Sequence, residues 1–150
     1  MPELPEVEVL KQSLQKKIRL CKIIKVKIYN RNLRYKVPHS IIKSLQNRIV
    51  KRVSRRSKYL IFHMNYTKKL LIHLGMSGTI HLVKKKNSQS TNASFYFSSH
   101  LPKKHNHVEI IFNNDTKMIY NDPRRFGYLK LLKHNYFLEK PIINLGPEPF

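Results

Sequence analysis

The chain has 150 residues and a formal net charge of +22, because 30 lysines and arginines face only eight aspartates and glutamates. This length is sufficient for one domain with a hydrophobic core, and no apolar run approaches the eighteen or so residues of a membrane-spanning helix. The acidic N-terminus is the reverse of a secretory signal. The lone Cys21 excludes an internal disulfide and cannot by itself form a zinc site. We therefore expect a single soluble domain in the cytoplasm, with no membrane partner.

The excess of positive charge indicates a polyanionic partner. A net charge of this size is far above the roughly 2–8 that is usual for a small soluble domain, and each phosphate that a lysine or arginine neutralises releases counterions. A second explanation accounts for part of the excess. Lysine greatly outnumbers arginine and Ala93 is the only alanine, which is typical of an AT-rich coding bias. The sign of the charge is therefore more informative than its size.

The first part of the chain predicts a helix, a strand and a second helix. Apolar residues at helical spacing predict an amphipathic helix from residue 6 to about residue 17. Ile24, Val26 and Ile28 alternate with lysines, which predicts a half-buried strand. Residues 30–37 are expected to form a basic turn, and residues 40–46 a short helix.

From residue 49 onward the pattern predicts only strands, at residues 49–53, 59–64, 70–74, 79–83, 108–112, 118–120 and 128–132. Asn113-Asn114-Asp115 predicts a hairpin turn, and the polar stretch from 84 to 106 predicts a mobile loop around Phe95-Tyr96-Phe97. A helix followed by many short strands indicates an α+β domain. We expect a β-sandwich or flattened barrel of about eight short strands, with the N-terminal α-helix and one or two further short helices outside it.

The N-terminus concentrates acid. Three of the eight carboxylates lie in the first eight residues, Met1-Pro2-Glu3-Leu4-Pro5-Glu6-Val7-Glu8. Removal of Met1, which is normal before a small residue, leaves the secondary amine of Pro2, and such an amine can act as a nucleophile. A proline amine that attacks a sugar carbon forms an iminium, and Glu3 lies where a proton donor is needed. The alternative is an ordinary helix start, with Pro5 in the first turn and acids near the helix N-terminus.

Two further segments are typical of contacts with DNA. The basic cluster Arg55-Arg56-Ser57-Lys58-Tyr59-Leu60 lies at a predicted hairpin tip; the alternative is a solvated turn. The segment Ile72-His73-Leu74-Gly75-Met76-Ser77-Gly78 leaves a large apolar side chain between two glycines. Such a side chain can fill the gap left by an extruded base; the alternative is a core methionine beside a β-turn.

The last two segments are also basic and lie between predicted strands. Asn121-Asp122-Pro123-Arg124-Arg125-Phe126-Gly127 offers arginines and an aromatic ring that can bond to an unpaired base and stack beside it; the alternative is an ordinary basic turn. Lys104-His105-Asn106-His107-Val108 has two histidines at alternate positions. Because no cysteine or carboxylate set joins them, we do not predict a metal there.

These segments together resemble, in the expected order, the motifs of the formamidopyrimidine-DNA glycosylases, bacterial enzymes that excise oxidised purines. The matching strings are PELPEVE, RRSKYL, HLGMSG, KHNHV, DPRRFG and LGPEP. Leu4 stands where the sister endonuclease VIII group usually has glycine, which favours the formamidopyrimidine branch. Ser57 stands where a small residue is usual, and Asn106 replaces the usual aspartate, which puts the local hydrogen bonding in question.

The resemblance implies catalytic roles for three residues. Pro2 would attack C1′ of the damaged nucleotide, Glu3 would move protons at the sugar, and Lys58 would contact phosphate and assist strand cleavage. It implies DNA contacts for seven others. Glu6 would help to hold the damaged nucleotide, His73 and His105 would contact the DNA, Met76 would fill the vacated space, and the unpaired base would meet Arg124, Arg125 and Phe126.

The resemblance covers nearly all of the chain but only the N-terminal half of a full-length enzyme. We expect residues 1–140 to form the catalytic domain and residues 141–150 the junction to a missing second domain, with a helix–two-turn–helix element and a zinc finger. The chain would then be a piece of a longer protein or a decayed gene product. No cofactor is expected in it, since the one zinc ion of the family belongs to the absent zinc finger.

Three hypotheses follow. The first is a bifunctional DNA glycosylase and AP lyase of base excision repair, which acts on 8-oxoguanine and formamidopyrimidines in double-stranded DNA. It would be monomeric and associated with the nucleoid while it acts. The second is a truncated, catalytically impaired DNA-binding domain of the same family. The third, a generic basic protein such as a ribosomal one, explains the charge but not PELPEVE or LGMSG.

Overall fold

The computed structural model describes residues 3–66, 68–84 and 104–132. Within these ranges two helices accompany eight strands. The helices are α1 (Leu4–Ile18) and α2 (Ser40–Leu45). The strands are β1 (Ile23–Ile28), β2 (Val50–Arg56), β3 (Tyr59–Met64), β4 (Lys69–His73), β5 (Thr79–Lys84), β6 (Asn106–Phe112), β7 (Thr116–Asn121) and β8 (Tyr128–Leu132).

The strands form two four-stranded antiparallel sheets. The first has the order β1-β6-β7-β5 and the second the order β2-β3-β4-β8. One hydrophobic core includes buried side chains from both sheets and both helices, as expected when each sheet buries one face. The predicted α+β sandwich with an N-terminal helix is therefore confirmed.

Helix α1 closes one edge of the second sheet. Its buried residues, Val7, Leu10, Leu14 and Ile18, recur at helical spacing. On the same helix, Gln15 Oε1 accepts a hydrogen bond of 2.6 Å from the backbone N–H of Val53 on the edge strand β2. A helix that bonds an edge strand protects it from pairing with another chain. The helix begins two residues before the predicted start, with Pro5 in its first turn.

Most strands differ from their predicted bounds by one or two residues at an end, and two departures follow from how the strands pair. Ile24 is 45% exposed and does not share a buried face with Val26, so the predicted alternation in β1 is wrong at this residue. The register of β1 against β6 shifts between Ile23 and Lys25, and such an irregularity turns a side chain to the other face. Strand β2 continues to Arg56, three residues beyond its predicted end, because its pairing with β3 extends to the hairpin tip.

The remaining predictions concern connections. Asn113-Asn114-Asp115 is the turn between the paired strands β6 and β7, as predicted. Most of the predicted loop at residues 84–106, including Phe95-Tyr96-Phe97, lies outside the described residues, as do Pro2 and the junction at residues 141–150. Neither of the two described helices is long and apolar enough to cross a membrane.

Candidate nucleic-acid interface

Two of the predicted recognition segments meet around a buried carboxylate. Asp122 is fully buried. Its Oδ1 accepts hydrogen bonds from Ser77 Oγ at 2.6 Å and from the backbone N–H of Arg125 at 3.1 Å. Its Oδ2 accepts from the Tyr120 hydroxyl at 2.7 Å and from the backbone N–H of Gly127 at 2.9 Å. One carboxylate thus joins the β4–β5 turn (residues 74–78) to the β7–β8 turn (residues 122–127).

Glycines allow these two turns to approach each other closely. Gly75 has a φ of +64°, in the left-handed region, and a Cβ at this position would lie 2.5 Å from the backbone nitrogen of Gly127. A Cβ on Gly127 would overlap the Tyr120 hydroxyl and lie 2.5 Å from the carbonyl oxygen of His73. Because real Cβ atoms do not come so close to backbone atoms, both turns require glycine at these positions.

The joined turns present three side chains to solvent. Met76 is 46% exposed and Phe126 is 44% exposed, so the alternative of a core methionine is wrong. Arg124 lies between them: its Nη1 is 3.9 Å from Met76 Sδ, and its guanidinium carbon is 5.6 Å from the centre of the Phe126 ring. Met76 and Phe126 are 50 positions apart in the sequence, and the structure brings them together on either side of Arg124.

A third segment, residues 30–37, lies against the β7–β8 turn. The backbone N–H of Arg34 donates to the carbonyl oxygen of Gly127 at 3.2 Å, and Arg125 Nη1 donates to the carbonyl oxygen of Asn32 at 3.3 Å. Between the segments is a cavity of about 610 Å³, lined by Asn32, Leu33, Arg34, Arg124, Arg125 and Phe126. The sequence predicted only a basic turn here, because its charge reveals neither the contact nor the cavity.

The imidazole of His73 is held as a neutral ring. Its Nδ1 accepts a hydrogen bond of 3.1 Å from the backbone N–H of Gly75, so the ring proton is on Nε2. The ring stacks on Tyr128 with centroids 5.5 Å apart and planes at 17°. Burial lowers the pKa of His73, and the nearby positive charges of Arg34 and Lys58 lower it further. At neutral pH this side chain therefore offers an N–H donor without a positive charge.

The basic hairpin is attached to the N-terminal helix. Arg55, whose side chain is 4% exposed, donates from Nε to Glu8 Oε1 at 2.8 Å. Burial raises the pKa of the Glu8 carboxyl, but hydrogen bonds from Arg55 and Lys11 outweigh this effect and lower it overall. Ser57 and Lys58 form the hairpin turn, with Ser57 at a φ of +53°. This ion pair connects the hairpin that carries Lys58 to the first turns of α1.

The two acids nearest the N-terminus are exposed. Glu3 and Glu6 lie at the start of α1. Glu3 occupies the N-cap position, and its carbonyl oxygen accepts from the backbone N–H of Val7 at 3.1 Å, but its side chain makes no capping hydrogen bond. The alternative of an ordinary helix start holds for Pro5 and Glu6, which lie in the first turn, but the carboxylate of Glu3 does not cap the helix. Pro2 lies outside the described residues, so its distance from Glu3 stays a prediction.

The KHNHV segment bonds to the backbone of Asp122 and to the side chain of Asn121. The carbonyl oxygen of His105, an exposed residue with a φ of +70°, accepts from the backbone N–H of Asp122 at 3.1 Å. The buried His107 donates from Nε2 to the carbonyl oxygen of Asp122 at 2.7 Å. Asn106 Oδ1 accepts from Asn121 Nδ2 at 2.9 Å, so an amide oxygen serves as acceptor where the resemblance expects a carboxylate.

Several residues of this interface have no predicted role. The residues that hold the predicted DNA-contacting and catalytic residues in place are Asp122, Ser77, Glu8 and Arg34. One sequence signal could have found the two acids, since the chain has only eight carboxylates, and Glu8 lies within PELPEVE and Asp122 within DPRRFG. In the described part of the chain, no group of three or more histidine, cysteine, aspartate or glutamate side chains could hold a metal ion.

The comparisons with known proteins agree on one family. The family model described as the formamidopyrimidine-DNA glycosylase N-terminal domain matches residues 1–129. The chain is 38% identical over 149 residues to a formamidopyrimidine-DNA glycosylase of Legionella pneumophila (strain Lens), which covers 99% of this chain and 49% of that protein. It is 42% identical over 150 residues to one of Rickettsia felis, which covers 99% of this chain and 49% of that protein.

Solved structures give the same result. The Lactococcus lactis enzyme in complex with abasic-site DNA is 30% identical, with a TM-score of 0.75 over 91% of this chain and 45% of that one. A complex of the same enzyme with N7-benzyl-Fapy-dG DNA is 31% identical, with a TM-score of 0.75, and covers 91% of this chain and 46% of that one. The chain thus spans about half the length of its relatives, and it belongs to the formamidopyrimidine-DNA glycosylase family, whose N-terminal domain it matches.

Proposed function

We propose that the chain is the nucleophile-bearing half of a bifunctional DNA glycosylase and AP lyase in base excision repair, which acts on oxidised purines in double-stranded DNA. The observation that carries this proposal is the exposed group formed by Met76, Arg124 and Phe126 on two joined turns. An apolar side chain beside an arginine and an aromatic ring is suited to replace an extruded base and to contact its former partner. The relatives solved with lesion-containing DNA support the same choice of substrate.

The proposed chemistry begins at the N-terminus. The amine of Pro2 would form a bond to C1′ of the damaged nucleotide while the bond from C1′ to the base breaks and the base leaves with a proton. Glu3, whose exposed carboxylate does not cap α1, would transfer protons at the sugar. The C1′–O4′ bond would then break, with O4′ taking a proton, which opens the sugar ring and gives the iminium. Loss of protons from C2′ and C4′ would drive β- and δ-elimination, which break the C3′–O and C5′–O bonds to the two phosphates. Lys58, at the tip of the hairpin bonded to α1, would assist these steps.

The other proposals concern partners and place. DNA phosphates would be contacted by Lys58, His73 and His105, and Glu6 would help to hold the damaged nucleotide. We propose that the chain acts as a monomer in the bacterial cytoplasm, close to the nucleoid. These 150 residues would need no cofactor of their own, since Cys21 is their only cysteine and the zinc ion implied by the resemblance would belong to a second domain.

Covalent trapping tests the proposed chemistry. Borohydride reduction in the presence of abasic-site DNA should fix the chain to the DNA through the amine of Pro2. A variant with two extra residues before Pro2 should not be trapped, because an amide replaces the amine, whereas Pro2→Gly should be trapped in part through its primary amine. Gel electrophoresis of the reduced mixture measures the yield. Equal trapping of the extended variant would contradict the proposal.

The salt dependence of DNA binding should separate Lys58 from His73. Each phosphate neutralised by a positive charge contributes about −0.9 to the slope of log K against log salt concentration. Lys58→Ala should therefore flatten the slope by about one unit. His73→Ala should weaken binding without a change of slope, because burial and the nearby cations lower the pKa of His73 and so favour the neutral imidazole at neutral pH.

The control for this measurement is Lys25→Ala, which removes one exposed lysine from the edge strand β1. It should change neither the affinity nor the slope by a comparable amount. Fluorescence anisotropy at several salt concentrations gives the slopes. If His73→Ala flattened the slope as much as Lys58→Ala, the assignment of His73 as a neutral donor would be wrong.

The second candidate function is a DNA-binding domain without efficient excision. The observation that favours it is the exposed group of Met76, Arg124 and Phe126, which can contact DNA whether or not the N-terminal amine reacts. The two candidates differ in their activity on damaged bases and on abasic sites.

A further inference from the structure

A single hydroxyl group connects the two turns that the proposed function uses. Ser77 Oγ donates to Asp122 Oδ1 at 2.6 Å and accepts from the backbone N–H of Arg124 at 3.0 Å. Ser77 directly follows Met76, and Arg124 comes two residues before Phe126. The hydroxyl therefore bonds at the same time to the carboxylate that anchors the β7–β8 turn and to the backbone of the residue that contacts Met76.

We propose that Ser77 is a positioning residue that makes Met76, Arg124 and Phe126 act on DNA as one unit; this inference rests on the proposed function and deepens it. The anchor of the unit is rigid, because Asp122 is fully buried and is also held by the Tyr120 hydroxyl and the Gly127 N–H. A short hydrogen bond to an ionised carboxylate is among the stronger ones in proteins.

The physical need for such a link follows from the side chains themselves. Methionine has three rotatable bonds and little preference among its conformations, and Met76 is half exposed. On a turn that moved alone, its position relative to Arg124 and Phe126 would vary, although all three must occupy neighbouring spaces in one base stack. The Ser77 hydroxyl fixes the distance between the backbones of the two turns, so insertion of one side chain assists insertion of the others.

A double-mutant cycle measures this cooperation. The probe is a duplex with a stable tetrahydrofuran abasic site opposite a fluorescent cytosine analogue, whose emission reports insertion of the side chains. The 150-residue chain is compared with Met76→Ala, Phe126→Ala and the double variant. Each variant should lower the equilibrium constant for insertion by a measurable factor. The factor for the double variant should be smaller than the product of the two single factors by about fivefold or more. In a Ser77→Ala background it should agree with the product within about twofold.

Two further variants separate positioning from stability. Tyr120→Phe removes another hydrogen bond from the same carboxylate without breaking the link between the turns, so it should lower stability but keep the cooperation. Ser77→Thr retains the hydroxyl and should keep it as well. Equal loss of cooperation in Tyr120→Phe, or its persistence in Ser77→Ala, would overturn the inference.

The cycle in the unmodified background also tests the inference if Ser77→Ala does not fold. If the loss of insertion in the double variant equalled the product of the two single losses within about twofold, the inference would be overturned without any change at Ser77. The proposed function fails in a different way. In that case the unmodified chain would neither prefer the abasic duplex over intact DNA nor alter the fluorescence of the analogue.

Discussion

Gly127→Ala is expected to destabilise the domain by about 3 kcal/mol or more. The added Cβ would overlap the Tyr120 hydroxyl and would lie 2.5 Å from the carbonyl oxygen of His73 and 3.0 Å from Asp122 Oδ2. Two of these three atoms belong to the buried hydrogen-bond network that joins the turns, and the third belongs to the backbone, so none can move away without breaking a bond or shifting a strand. Urea unfolding measures the change in the free energy of unfolding.

The neighbouring Phe126→Ala is the matched control for this variant. The Phe126 side chain is 44% exposed and faces solvent, so its removal should change the free energy of unfolding by no more than about 0.5 kcal/mol. It should nevertheless reduce insertion into abasic-site DNA. The two adjacent substitutions thus distinguish the packing that stabilises the two turns from the side-chain contact with DNA. A Gly127→Ala protein as stable as the unmodified chain would show that the two turns are not as tightly packed as the structure indicates.

The 150-residue chain should cleave abasic sites far better than it excises 8-oxoguanine. Extrusion of a base from a duplex costs a few kcal/mol, and each 1.36 kcal/mol corresponds to about a tenfold change in rate. At an abasic site there is no base to extrude or to release. The chain supplies the proposed nucleophile, the proton donor and the inserted side chains, but its relatives are about twice as long. We propose that the half of the relatives that this chain does not match helps to hold the duplex open, so we expect a difference of about a hundredfold or more for these 150 residues.

Single-turnover reactions on two duplexes of the same sequence measure this difference, one with 8-oxoguanine and one with a ready-made abasic site. Binding to both should be weak and sensitive to salt. The control is the chain with two extra residues before Pro2, which should be inactive on the abasic site as well. Excision at a rate close to that of abasic-site cleavage would show that the other half of the relatives is dispensable. Inactivity on both duplexes would favour the second candidate function, a DNA-binding domain.

Much of the fold followed from local patterns in the sequence. Strand β3 has the predicted bounds, because it is a nearly continuous apolar run, buried after Tyr59, and both ends are marked by turns. The helix α1 was predicted from the spacing of Val7, Leu10, Leu14 and Ile18, which are all buried. Ile24 was misjudged, because a shift of register depends on the partner strand β6 and leaves no mark in the six residues of β1.

The sequence by itself determined the family and the candidate residues, since short motifs such as HLGMSG and DPRRFG require no knowledge of their neighbours. Only the tertiary structure decided how these residues act together. The bond of Ser77 to Asp122, the bond of Arg34 to Gly127, and the charge of Lys58 that helps to keep His73 neutral join residues from different strands and turns. Such contacts arise when the sheet brings distant segments to one end, and the burial that sets their strength is a property of the packed domain.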